Sequence, residues 1–221
     1  MKLFSLLLLG LMMTAQQTHA LKIVTTDDSD KAQILRKPAH KIHFPLSKED
    51  VELIAAMKQK LYDLKGVGLA ALQINYSKQI IAIYIPEESA ILRNNAKPYP
   101  MHILINPSYD GVEAAGINPD FEACYSVSNK AGKVPRYNQI SLHFYDEHGK
   151  KHNTIENGFY ARVLQHEIDH INGILILDRL TPDCIQGSIE EMMALRRKEF
   201  SPQQREIFDN LMKEKEIKSK Q

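Results

Sequence analysis

The chain has 221 residues, 43% of them hydrophobic, and 28 Lys and Arg against 27 Asp and Glu give a formal charge of +1. That balance, with no basic block before the C-terminal tail and no Trp, gives no ground for a nucleic-acid partner. Two cysteines, Cys124 and Cys184, are too few for a disulfide framework, although one bridge between them is conceivable in an exported chain.

Residues 1–20 read as a leader rather than as fold. Met1-Lys2 is a short positive start, Leu3 to Met13 is apolar or small, and Thr18-His19-Ala20 carries small residues at the cleavage positions. That is the pattern of a secretory signal peptide, too short to span a bilayer as a mature helix. The expectation is a chain placed in the periplasm or medium, with no stable membrane insertion after cleavage. A retained leader would mean a cytoplasmic chain instead. Residues 21–221 suit one domain with a sizeable core, without internal repeat or low-complexity linker.

Leu46-Ser47-Lys48-Glu49-Asp50 opens a helix capped by Ser47, with Val51, Ile54, Met57 and Leu61 as its buried stripe. Gly66-Val67-Gly68 ends it. Ile80 to Ile85 reads as a buried strand. Met101 to Ile105 is another, closed by Asn106-Pro107. Ser141 to Tyr145 alternates, turns at Glu147-His148-Gly149-Lys150 and pairs back through His152 to Ile155. An amphipathic helix follows, with Phe159, Val163, Ile168 and Ile171 as apolar positions and Asn172-Gly173 as its stop. After the short apolar run Ile174 to Leu177 come two charged helical stretches, the last opened by the capping box Ser201-Pro202-Gln203-Gln204. Strands grouped before helices predict an α+β fold: mainly antiparallel sheets around a central helix, with a C-terminal helix.

That central helix carries His166-Glu167-Ile168-Asp169-His170. Residues four apart share a helix face, so His166 and His170 can reach one metal ion, with Glu167 placed to take a proton from a water the ion activates. The third ligand decides the chemistry. A metzincin pattern needs histidine where Ile176 stands, and fails. Glu190 or Glu191 lies where a thermolysin-like peptidase takes its glutamate, but acids on a charged helix are ordinarily surface residues. Cys124 lies upstream; a lone cysteine is more often a small buried hydrophobe, yet Cys with two His gives a site with one open position.

Three strings in order then resemble the peptide deformylase family. Gly66-Val67-Gly68-Leu69-Ala70-Ala71-Leu72-Gln73 resembles its Gly-x-Gly-Leu-Ala-Ala-x-Gln motif, Glu122-Ala123-Cys124-Tyr125-Ser126 its Glu-Gly-Cys-Leu-Ser motif, and Gln165-His166-Glu167-Ile168-Asp169-His170 its metal motif. Ile105-Asn106-Pro107 and Val134-Pro135-Arg136 add weaker support. The resemblance implies one divalent ion, ferrous iron by family habit with zinc or nickel as alternatives, held by Cys124, His166 and His170. It implies a monomer that hydrolyses the formyl group of N-formylmethionyl peptides, releasing formate. Glu167 is the general acid/base, and Gln73 and the Tyr125 N–H bind the developing oxyanion. Gly68, Leu69 and Ala123 lie along the formylated peptide. The alternatives are a non-catalytic binder of N-terminal peptides and a zinc metallopeptidase. Asp169 would orient a ligand histidine or form a surface salt bridge.

Four departures stand out. Ala123 replaces Gly, Tyr125 replaces Leu, Leu72 stands where Pro or Thr is common, and no arginine lies between Ser126 and Val134, where Lys130 or Lys133 would substitute. All four are expected beside the substrate channel, altering preference while sparing the metal.

Overall fold

A computed structural model describes residues 21–94 and 96–219. The proposed leader, residues 1–20, lies outside the described residues. Helix α1 (Lys48–Leu64) precedes strands β1 (Gly68–Ala70) and β2 (Ile80–Ile85), the short helix α2 (Glu87–Ile91) and strand β3 (Tyr99–Gly111). Then come β4 (Ile117–Ala123), β5 (Ala131–Tyr137), β6 (Gln139–Tyr145) and β7 (Lys151–Asn157). Helix α3 (Gly158–Ile171), one turn α4 (Ile176–Arg179), β8 (Gln186–Gly187), α5 (Ile189–Glu199) and α6 (Pro202–Ser219) complete the chain. The class is α+β as expected. No helix among the described residues is long and apolar enough to cross a membrane.

Two antiparallel sheets hold α3 between them. The larger has strand order β1-β2-β3-β6-β7, the smaller β4-β5-β8. Strand β2 explains the architecture: Ile81, Ile83 and Ile85 meet Leu164, Ile168 and Ile171 of α3, whereas Ile80 and Ala82 meet Leu53, Ile54, Met57 and Leu61 of α1. Both faces of the sheet are therefore covered, so β2 is apolar at almost every position rather than alternating. Each such buried side chain contributes roughly 1.5–3 kcal/mol, so α3 is fixed firmly before any site chemistry is considered.

Several elements differ from the sequence reading. Helix α1 buries Leu53 rather than Val51, which is 54% exposed. Strand β3 runs through Asn106-Pro107 instead of closing there: the pairing with β6 shifts between Ile105 and Ser108, and Asn106 adopts φ +50°. The Asn106 side chain bonds both the N–H and the C=O of Ile42, which holds this bulge. The smaller sheet was not anticipated, because Pro119, Gly132 and Pro135 break its strand pattern. Pro119 and Pro135 stand opposite each other in register. Neither has an N–H, so they occupy a pair that exchanges no hydrogen bonds, where proline is harmless.

Candidate active site

Strand β4 delivers Cys124 to the middle of α3. Helix α3 presents His166 and His170 one turn apart, and their ligand atoms and the Cys124 sulfur all lie within 4.8 Å of one another. The Cys124 Sγ stands 3.2 Å from His170 Nε2. An ion bound by sulfur at about 2.3 Å and nitrogen at about 2 Å needs donors roughly 3.5 Å apart, and this cluster meets that requirement. The residues fit one divalent ion with a further position open. Glu191 caps α5, bonding the Ser188 N–H at 2.8 Å, so it is committed as a helix cap and not as a ligand.

Glu122 organises the histidines. Its buried carboxylate accepts from Arg136 at 3.1 and 3.0 Å, from Arg162 at 2.7 Å and from His166 Nδ1 at 2.9 Å. That last bond turns His166 Nε2 toward Cys124, the orientation a ligand imidazole needs. Burial opposes ionisation of Glu122, but Arg136 and then His166 hold its carboxyl well below the usual range. For His166 burial disfavours the charged ring, yet Cys124 and Glu122 keep its pKa well above the ordinary value. His170 is held well below that value by burial and then by the His166 charge.

Glu167 points the other way, toward β1. Burial pushes its carboxyl up to about 7, and its Oε2 is a buried oxygen without a hydrogen-bond partner. The backbone beside it is glycine for a steric reason: a Cβ on Gly68 would stand 2.7 Å from the Glu167 Cδ and Cγ. Gln73 completes the group. Its Oε1 accepts from the Ala70 N–H at 2.8 Å, which aims Nε2 at Cys124 Sγ, 3.7 Å away, and at Ser126 Oγ, 3.3 Å away.

Two sheet edges converge on this group. Because Pro119 and Pro135 form a pair without hydrogen bonds, alternation assigns the same character to Phe121 and Ala123, whose N–H and C=O face away from β5. Strand β1 is the end strand of its sheet, and the Ala70 N–H already turns away from β2 to Gln73. By the same alternation Gly68 turns its backbone outward, whereas Leu69 pairs with Ala82 and buries its side chain. An extended peptide is thereby offered the Gly68 and Ala123 backbones.

A family model described as polypeptide deformylase matches residues 20–185. The chain belongs to the polypeptide deformylase family. Peptide deformylase 2 of Rickettsia conorii is 38% identical over 182 residues, covering 79% of this chain and 88% of that protein. A class I type b peptide deformylase from Acinetobacter baumannii, solved with Met-Ala-Ser bound, matches with TM-score 0.64 and 27% identity over 73% of this chain and 98% of that one. A peptide deformylase from Synechococcus elongatus in complex with actinonin matches with TM-score 0.61 and 29% identity, over 83% and 88% of the two chains. The chain is accordingly a deformylase-type hydrolase with one divalent ion, not an isolated peptide-binding module.

The departures from the deformylase pattern fall in different places. Ala123 is exposed and is not among the residues with positive φ, so its methyl group carries no backbone strain. Tyr125 links the segment after β4 to the end of α1, donating from its hydroxyl to the Leu64 C=O at 2.9 Å and lying against Gly66. Leu72 is fully buried in the main core, away from any channel. Lys133 is engaged by Glu199 at 2.9 Å, and Lys130 is exposed. Asp169 neither orients a histidine nor sits at the surface: it is buried, paired with Arg136 and held by Arg179 at 3.0 and 2.6 Å. Cys184 is a free thiol, as is Cys124, so no bridge links them. Glu122, Arg136 and Ser126 are the site residues whose roles the sequence reading left unassigned.

Proposed function

We propose that the chain hydrolyses the formyl group of N-formylmethionyl peptides, releasing formate and a free amine. The observation that carries this reading is the buried, unpartnered Glu167 oxygen next to the Cys124, His166 and His170 cluster. A divalent ion there supplies Lewis acidity, activating water and polarising the formyl carbonyl. Glu167, with a pKa near neutrality before the ion is bound, accepts the proton of the attacking water and delivers it to the departing amine. Gln73 Nε2, locked by the Ala70 N–H, and the Tyr125 N–H are assigned the developing negative charge on the formyl oxygen. Gly68 and Ala123 pair with the peptide backbone and hold the formyl carbon over Cys124. Glu122 keeps His166 in its ligating orientation throughout.

The ion is assigned as ferrous iron on family resemblance. The assay is formate release from formyl-Met-Ala under anaerobic conditions, with protein loaded with iron or nickel. Formate equal to the new free amine is expected; no formate from fully metallated protein would overturn the reading. Export is proposed on the leader pattern of residues 1–20. Outside the cytoplasm a thiolate-ligated ferrous site is exposed to oxidation, so zinc, which is redox-inert, is the alternative to iron that metal analysis of the exported chain distinguishes. A mature chain starting at Leu21 in the periplasm or medium is expected, and an uncleaved cytoplasmic chain would refute it.

A further inference from the structure

The open edge of β4 is short. At Ala123 the backbone is exposed, but two residues back it is occupied: the Phe121 N–H donates to Asp120 Oδ1 at 2.8 Å, and the Phe121 C=O accepts from Arg93 Nη2 at 2.9 Å. Arg93 also binds Asp120 Oδ2 at 2.8 Å, while Arg196 of α5 binds Asp120 Oδ1 at 3.2 Å. Two guanidinium groups thus share this one aspartate, with Glu199 beside Arg196 at 3.2 Å as a more exposed partner. Arg93 and Asp120 line a cavity of about 540 Å3 at the N-terminus of α3, and their side chains remain 22% and 24% exposed. The Arg93 side chain is therefore partly open to solvent. Arg196 comes from beyond residue 185, outside the part of the chain that matches the family.

Strand geometry says what Arg93 would meet. Residues along an edge advance about 3.3 Å each, and every second residue turns its N–H and C=O toward the neighbouring strand. With the formyl group over Cys124 and the first residue opposite Ala123, a third residue would place its N–H against the Phe121 C=O. Arg93 is already there. In a peptide of two residues no third N–H exists, and an oxygen of the terminal carboxylate takes its position. An anion at that point meets a guanidinium; an amide N–H meets a competing donor.

We propose that Arg93 is a specificity-determining residue that receives the free C-terminal carboxylate of a formylated dipeptide, so that the enzyme favours short peptide acids over longer chains. This rests on the deformylase reading and names its substrate class. Asp120 holds the guanidinium in place, and a bound carboxylate would give Arg93 an anion besides the Asp120 that it shares with Arg196.

The test compares kcat/KM for formyl-Met-Ala, formyl-Met-Ala amide and formyl-Met-Ala-Ser, using the full metallated chain and its Arg93→Gln and Arg93→Lys variants. The free dipeptide acid is expected to exceed its amide by about ten- to a hundredfold, the scale of one charge-assisted hydrogen bond, and to exceed the tripeptide. The acid-to-amide ratio falls toward one in Arg93→Gln and is partly restored by lysine. An acid-to-amide ratio near one in the unaltered chain, or an unchanged ratio in Arg93→Gln, overturns the proposal while leaving deformylation intact. Absence of formate from all three substrates would instead remove the deformylase reading on which it stands. Should Arg93→Gln fail to fold, the ratio in the unaltered chain and its decline with added salt decide the matter.

Discussion

Replacing Glu122 by glutamine changes one oxygen for nitrogen at the point where four groups of the site meet. Glu122 is 8% exposed, and its carboxylate bonds Arg136, Arg162 and His166. Removing one partner of a buried ion pair costs about 3–5 kcal/mol, because the remaining charge is left uncompensated. Here the loss falls near the low end, about 3 kcal/mol, since Arg136 keeps Asp169 and Arg162 keeps the Val134 C=O. For a chain of this size that corresponds to a melting temperature lower by roughly 6–12 °C. Metal affinity is expected to fall roughly ten- to a hundredfold, because His166 loses the acceptor that sets its orientation. Thermal unfolding of the metal-loaded protein, with chelator competition for the ion, measures both. A shift below about 3 °C with unchanged affinity would refute the claim that Glu122 organises the centre.

Gly68→Ala is expected to lower activity sharply and to destabilise by about 1–3 kcal/mol, because the new methyl group overlaps Glu167; steady-state kinetics with normal values would contradict this. Cys124→Ala is expected to abolish metal retention while Glu190→Ala leaves it unchanged, as read by metal analysis of the purified proteins. Tyr125→Leu removes the link to Leu64 and is expected to lower KM for peptides with a bulky second residue; a higher KM would show that the link shapes the cleft. Asp50→Asn tests pH dependence away from the site. Burial opposes its charge, yet Lys78 at 2.7 Å and Ser47 hold the Asp50 carboxyl below its usual 3.8. A depressed carboxyl stabilises the fold above its unfolded pKa and loses that contribution as pH falls through the folded one. The variant should therefore lose about 1 kcal/mol near neutral pH, a deficit that fades below about pH 4.

The larger sheet and α3 were legible because their apolar pattern serves burial directly: β2 is covered on both faces, and α3 has one face toward that sheet. The smaller sheet was not, since a strand carrying Pro119 is tolerated only through its pairing with Pro135, which single-strand patterning does not reveal. The Cys124, His166 and His170 grouping could be anticipated from helix spacing plus the family strings. Glu122 could not be assigned a role that way, because its partners come from β5 and α3, up to 44 positions away. Leu72 was misplaced for a related reason: proximity in sequence to Gln73 suggested the channel, but the turn at Ala71–Ile74 rotates Leu72 into the core. The closure of the β4 edge at Phe121 depends on Arg93 and Arg196, two side chains from elements remote in sequence.

The most direct test of the metal centre with Glu167 as its proton carrier is formate release by Glu167→Gln protein with its metal content measured in the same sample. The variant is expected to bind a full complement of ion, since Glu167 lies outside the ligand cluster, and to turn over about 10²–10⁴ times more slowly. A fully metallated variant releasing formate at near the unaltered rate would contradict the account.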